Sequence, residues 1–177
     1  AQNNLQSLNR NSELAESFRD ANVSAPEQTR IVRQKLEQEK DVDPLKSLMM
    51  LEVNLDMPLK ELERYLQDER AALAASTARA ENFSRRLLDE SSRPALVRQR
   101  LLELSQQQEE AAAQLRVPMD PAEDPAVTEA RRWVLTTEVA ALAAEIKALN
   151  EELNSQGVRS DLLEAQSEQE NVRLAQI

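Results

Sequence analysis

Cysteine and histidine are absent from this 177-residue chain, which also has a single glycine, one tryptophan, one tyrosine and two phenylalanines. Without Cys or His there is no disulfide scaffold, ordinary zinc site, haem attachment or nucleophile–histidine pair. One glycine leaves no Gly-rich phosphate loop and few tight β-turns, which need residues with positive φ. Acidic side chains number 32 and basic ones 22, a net charge of −10. Such a chain repels phosphates and offers little to stack on bases, so no nucleic-acid partner is expected. No apolar run approaches the ~18 residues of a membrane-spanning helix. No basic segment followed by an apolar one marks a signal peptide.

What the chain does have is Leu, Ala, Val, Ile and Met, which supply nearly all of its 41% hydrophobic residues. Set among Glu and Arg, they give the composition of long helices and coiled coils. The expected fold is all-α: long antiparallel helices in an elongated, coiled-coil-like bundle. Seven prolines punctuate it, each readable as a helix start or stop. Residues 1–56 read as short N-terminal helices. The first is thin, with Leu5, Leu8, Leu14 and Phe18, and Ser24-Ala25-Pro26-Glu27 reads as a capping box opening the second. Leu45, Leu48, Leu51 and Leu55 then form a short amphipathic element.

Residues 57–177 read as the long-helix bundle, in segments of about 57–90, 94–117, 124–156 and 160–177. Asp56 is placed as an N-cap with Pro58 in the first turn. Leu59, Leu62, Leu66, Glu69, Leu73, Ser76, Ala80, Phe83 and Leu87 follow at alternating steps of three and four, a heptad seam. Ser91-Ser92-Arg93-Pro94 breaks the chain, and Val97, Leu101, Leu104, Gln108, Ala111 and Leu115 resume the spacing. So short a joint implies an antiparallel hairpin, with a kinked continuous helix as the competing reading. Asp124-Pro125 restarts the chain as N-cap and first helical residue. The last long seam is Leu135, Val139, Leu142, Ile146, Leu149 and Leu153. A second stripe, Trp133, Thr137, Ala140, Ala144 and Ala148, suits close approach by another helix. Gly157 is placed at the helix end, where a left-handed residue is cheapest. Pro58, Pro94, Pro125 and Gly157 are the expected joints, or hinges, of the framework.

Chemistry beyond packing is weakly signalled. The clusters Glu109-Glu110, Glu151-Glu152 and Asp120/Glu123/Asp124 are what an acid-rich chain gives by chance, and the last lacks the alternating oxygens and glycine of a calcium loop. No catalytic, cofactor-binding or metal-binding residue is assigned, and neither enzyme activity nor a small-molecule substrate is expected. Arg131-Arg132-Trp133 would suit a membrane headgroup layer, but the plainer reading packs Trp133 against the preceding link and pairs the arginines with nearby acids. The same-helix pairs Glu81–Arg85 and Arg86–Glu90 contribute a few tenths of a kcal/mol each at most.

From Leu55 to Ile177 the sequence resembles the periplasmic N-terminal helical region, the MscS-porin domain, of large MscS-type mechanosensitive channels (MscK- and MscM-like). The resemblance is carried by Leu59-Lys60-Glu61-Leu62-Glu63-Arg64 opening a long helix and by Arg93-Pro94-Ala95-Leu96-Val97-Arg98-Gln99-Arg100-Leu101. Glu129-Ala130-Arg131-Arg132 and Asp161-Leu162-Leu163 complete it. Residues 1–54 fit only as more variable upstream helices. The resemblance implies a non-catalytic periplasmic domain tethered to the bacterial inner membrane, part of a channel that opens under tension in hypo-osmotic shock. Its partners would be the rest of the same polypeptide, its homo-oligomer and, through transmembrane segments outside this sequence, the membrane. The rival class is a coiled-coil adaptor or partner-binding scaffold hairpin, docking seam residues on another protein's helices. For the fold, the seam predicts that Leu142 and Ile146 are buried and that truncating either to Ala costs roughly 2–5 kcal/mol in denaturant unfolding.

Overall fold

The computed structural model describes residues 1–41, 58–118 and 123–176. Nearly all of them lie in three α-helices: α1 (Gln2–Lys40), α2 (Leu59–Arg116) and α3 (Pro125–Gln176). Among the described residues there is no strand. Two helix starts are visible in detail. The Pro58 carbonyl accepts from the N–H groups of Glu61 (2.8 Å) and Leu62 (3.2 Å), so Pro58 stands just before α2 rather than within its first turn. Asp124 Oδ1 accepts from the Ala126 N–H at 2.8 Å, and the Asp124 carbonyl accepts from Val127 and Thr128. Asp124 thus caps α3 and Pro125 fills the first helical position, where its missing N–H costs nothing. Asp56 and the element at Leu45–Leu55 lie outside the described residues.

Three expected breaks are not breaks. Pro26 lies inside α1 and Pro94 inside α2, so the thin first helix and the one expected to open at Ser24–Glu27 are continuous, as are those expected at 57–90 and 94–117. Glu27 does not serve a capping box; it pairs with Arg30 at 2.7 Å. The hairpin at Ser91–Pro94 gives way to the continuous-helix reading, for a reason visible along α2. Positions shielded from solvent run Ser76, Ala80, Phe83, Leu87, Glu90, Pro94, Val97, Leu101, Leu104, Gln108, Ala111 and Leu115. Steps of four and three alternate through Pro94 without a phase change, so one helix can bury the whole line. An interior proline costs about 3 kcal/mol. Burying Val97 and Leu104, which are 2% and 0% exposed, contributes about 1.5–3 kcal/mol each and offsets it. Gly157 likewise ends nothing: α3 continues to Gln176, and the glycine's φ is not positive. Its cost of about 1 kcal/mol relative to Ala is small beside burial of Leu163 in the next turns.

Contacts divide the chain into two compact units, and not near residue 56. One comprises Ala1–Val23 and Ser92–Gly157; the other comprises Ser24–Ser91 and Val158–Ile177. Each unit takes one stretch from every helix and is a three-helix bundle. In the first, Asn4 donates to Thr137 and Arg19 to Glu151, at sequence separations of 133 and 132. A constant separation means that α1 and α3 run parallel. Arg93 pairs with Glu152 and Arg100 with Glu145, and both pairs of residue numbers total 245. A constant total means that α2 runs antiparallel to α3. The second unit follows the same rule: Arg79–Glu170 and Glu90–Arg159 both total 249, whereas Arg173 and Gln169 reach Glu39 at separations of 134 and 130. Antiparallel packing therefore holds for α2 against its neighbours, and α1 and α3 are a parallel pair.

The core is made of small residues. Among the described residues the buried apolar side chains are Leu36, Val97, Leu104, Leu163 and six alanines: Ala15, Ala25, Ala111, Ala141, Ala148 and Ala165. Alanine at a contact lets helix axes approach closely but buries little area. On α3 the most shielded line is Thr137, Ala141, Ala148, Glu152 and Ser155. Leu135, Val139, Leu142, Ile146, Leu149 and Leu153 are half-buried on its flanks. A helix with neighbours on two sides puts its smallest residues deepest and its leucines at the margins, so the expected burial of Leu142 and Ile146 is corrected downward. The start of the α2 seam is corrected too: Leu59, Leu66 and Leu73 are exposed, whereas Leu62 is half-buried. In urea unfolding, Leu104→Ala should cost about 2–5 kcal/mol, Leu142→Ala less than that, and Leu59→Ala no more than about 0.5 kcal/mol.

Candidate functional site

The expected site residues are packing and joint positions, and the structure distributes them along the helices rather than gathering them. Among the described residues no group of three or more carboxylates is placed to hold a metal ion. A groove of about 770 Å³ runs along the first turns of α3 beside Pro125, Ala126, Glu129 and Trp133. It is an open surface trough rather than a pocket. Arg131 pairs with Glu123 at 2.8 Å, as the plainer reading of that segment expected. Trp133 is 57% exposed, and residues 119–122 of the link that it was expected to pack against lie outside the described residues.

What the structure does concentrate is charge between helices. In the first unit, consecutive residues of α3 serve different neighbours. Glu151 accepts from Arg19 of α1 at 2.7 Å, and Glu152 accepts from Arg93 Nε at 2.6 Å and Nη2 at 3.2 Å. Successive side chains on a helix point about 100° apart, so one Glu-Glu step holds two flanking helices. Two turns nearer the start of α3, Glu145 accepts from Arg100 at 2.9 Å, whose charged form is held on above its ordinary range by that bond. Glu152 is almost wholly buried, whereas Arg93 remains half in solvent, the guanidinium keeping its hydration while its planar fork meets the carboxylate.

The second unit joins all three helices through one chain of charges. Arg79 of α2 donates to Ser76 Oγ at 2.8 Å and lies 3.2 Å from Glu170 Oε1 of α3. Arg173, one turn along α3, reaches the same Glu170 oxygen at 3.2 Å and Glu39 of α1 at 2.7 Å. Gln169 donates to Glu39 Oε1 at 3.0 Å, and Gln176 donates to the Glu39 backbone carbonyl at 2.7 Å, satisfying one of the carbonyls left open at the end of α1. Lys40 adds a pair with Glu168 at 2.9 Å. The hydrogen bond from Arg173 holds the Glu39 carboxyl below the usual carboxylate range, against a smaller opposing effect of burial.

Periodicity within one helix points only to partners four residues apart, so it does not assign these interhelical pairs. Glu90 turns to Arg159 of α3 at 2.7 Å rather than to Arg86. A signal was present: Glu90 stands at a shielded step between Leu87 and Pro94, and a carboxylate on a seam needs a cation on the facing helix.

The mechanosensitive ion channel porin domain model matches the chain over residues 1–177. The match includes the first 54 residues, which the resemblance had left as variable. No curated protein and no solved structure matches.

Two outcomes are expected of the ionic contacts. Arg93→Ala removes an interhelical donor from the buried Glu152 and should cost about 1–3 kcal/mol in chemical unfolding. Glu39 has a lowered pKa, so its contribution is present above its ordinary value of 4.5 and is lost as pH falls through the folded value. Between about pH 5 and about pH 3, Glu39→Gln should therefore lose less stability than the parent.

Proposed function

The chain belongs to the mechanosensitive ion channel porin domain family, and on that premise we propose that residues 1–177 are a non-catalytic, regulatory helical extension of an MscS-type channel on the periplasmic side of a bacterial inner membrane. The match over the whole length carries this reading. The structure supports it in two ways. No described helix is long and apolar enough to cross a membrane, so the conducting path is assigned to other parts of the channel. The buried carboxylates described above are engaged by arginines of neighbouring helices, an arrangement suited to carrying load between helices rather than to turning over a substrate.

In this reading the extension acts on the equilibrium between closed and open pores. It needs only a different interaction free energy with the two states, and a shift of a few kcal/mol changes their ratio by orders of magnitude. An MscK- or MscM-like role in osmotic stress is the form in which such a domain would serve the cell. One observation favours a second reading, a partner-docking scaffold: Leu59, Leu66 and Leu73 lie exposed at heptad spacing, as a helix-binding face would.

Deleting residues 1–177 from the full-length channel and recording from membrane patches separates the two. The channel reading predicts that conduction persists while the tension threshold or the kinetics shift. Unchanged threshold and kinetics would overturn the regulatory role, and loss of binding by another protein with gating intact would favour the scaffold.

A further inference from the structure

The exposed leucines at the start of α2 do not lie on its outer face. Leu59, Leu66, Leu73, Ala80 and Leu87 stand seven residues apart and make one column along the helix, and Pro94 and Leu101 hold the same heptad position. Ala80, Pro94 and Leu101 each directly follow an arginine that pairs with an acid of α3: Arg79 with Glu170, Arg93 with Glu152 and Arg100 with Glu145. The column is therefore on the side of α2 turned to α3. Where α3 lies opposite, its members are half-buried, as Ala80, Leu87, Pro94 and Leu101 show. Toward the start of α2 exposure climbs, to 44% at Leu73, 50% at Leu66 and 72% at Leu59.

The antiparallel register of the second unit accounts for that gradient. On the total of 249 shared by Arg79–Glu170 and Glu90–Arg159, Leu73 faces Gln176, the last described residue of α3. On the same register Leu66 and Leu59 face positions seven and fourteen residues beyond Gln176. Up to that point α3 keeps its place in the bundle. Glu170 is buried, Arg173 pairs with Glu39 at 2.7 Å, and Gln176 donates to the Glu39 carbonyl at 2.7 Å. An existing helix adds turns without repeating the cost of nucleation, and a segment of the same chain meets the column without the translational and rotational cost of bringing in a second molecule. Any other helix laid on these leucines would lie in line with α3 and abut its end.

We infer that residues beyond Ile177 in the full-length protein carry the line of α3 onward as a helix and cover Leu59 and Leu66, making the leucine column an intramolecular seam rather than a face for an outside partner. The inference rests on register and exposure and does not depend on the channel reading. Its test reads thiol reactivity and not gating, so either can fail without the other.

Residues 1–177 contain no cysteine, so in a full-length protein with any other cysteine replaced by serine, Leu59→Cys and Leu66→Cys each supply a single thiol. Leu102→Cys, at a position 70% exposed, is the open control. Each is treated with a water-soluble maleimide, alongside the same protein in which the thirteen residues after Ile177, enough to reach the position facing Leu59, are exchanged for a Gly-Ser run of equal length. The thiols at 59 and 66 should react at least about tenfold more slowly in the parent than in the exchanged protein, with the control reacting at one rate in both. Equal rates at 59 and 66 would overturn the inference: if fast, the column is uncovered, and if slow, something other than this segment covers it. Should the exchanged protein fail to fold, a bismaleimide spanning about 8–10 Å, the spacing of packed helices, must join Leu66→Cys to a cysteine placed seven residues after Gln176 within one chain. A link between two chains, or none, counts against the inference equally.

Discussion

The line of shielded residues along α2, from Ser76 through Glu90, Pro94 and Val97 to Leu115, is the constraint on which the rest of the structure depends. Its alternation of three and four residues keeps one face of α2 shielded from Ser76 to Leu115. Because the phase holds across Pro94, the cost of an interior proline falls on a helix already committed by packing on both sides. The antiparallel register follows, and with it the pairings of Arg79, Glu90, Arg93 and Arg100 with acids of α3. Helix α1 then lies parallel to α3, held in the first unit by Arg19 and in the second by Glu39.

Small residues and charges divide the work of holding these helices together. Six of the ten buried apolar residues among those described are alanines, which permit close approach but exclude little surface from water. Leucines of α3 at the margins contribute by partial burial. Arginines reaching from α1 and α2, or along α3 itself, fix which residues face each other. Surface ion pairs contribute little individually. Here, however, Glu152 and Glu170 are nearly buried, and a buried carboxylate without its cation is costly. The pairs therefore specify register more than they add net stability, a role attested for buried polar groups in other helical assemblies.

Composition and periodicity made the all-α class legible, and residues such as Leu59–Arg64 and Arg93–Leu101 carried the family resemblance. Asp124-Pro125 was legible as a helix start because capping is local chemistry. Pro26, Pro94 and Gly157 were misread as helix boundaries because each is judged by local propensity, whereas continuity was decided by tertiary burial on both sides. The two apparent α2 seams share one phase, with Phe83, Leu87, Glu90, Pro94, Val97 and Leu101 in unbroken steps, and that signal could have shown a single helix. The deepest positions of α3 were missed for another reason. Periodicity ranks Leu above Ala, but a helix flanked by two others buries its smallest residues most. Cross-helix ion pairs were out of reach until the register was known.

Continuity of α2 through Pro94 is tested most directly by one distance. Labels at Ala78→Cys and Glu109→Cys lie on either side of the proline, where a hairpin at Ser91–Pro94 would bring them face to face. A continuous helix rising 1.5 Å per residue places them about 45 Å apart. Pulsed electron resonance should find a distribution centred near that value. A main population at about 10–20 Å, the spacing of labels on adjacent antiparallel helices, would contradict the account.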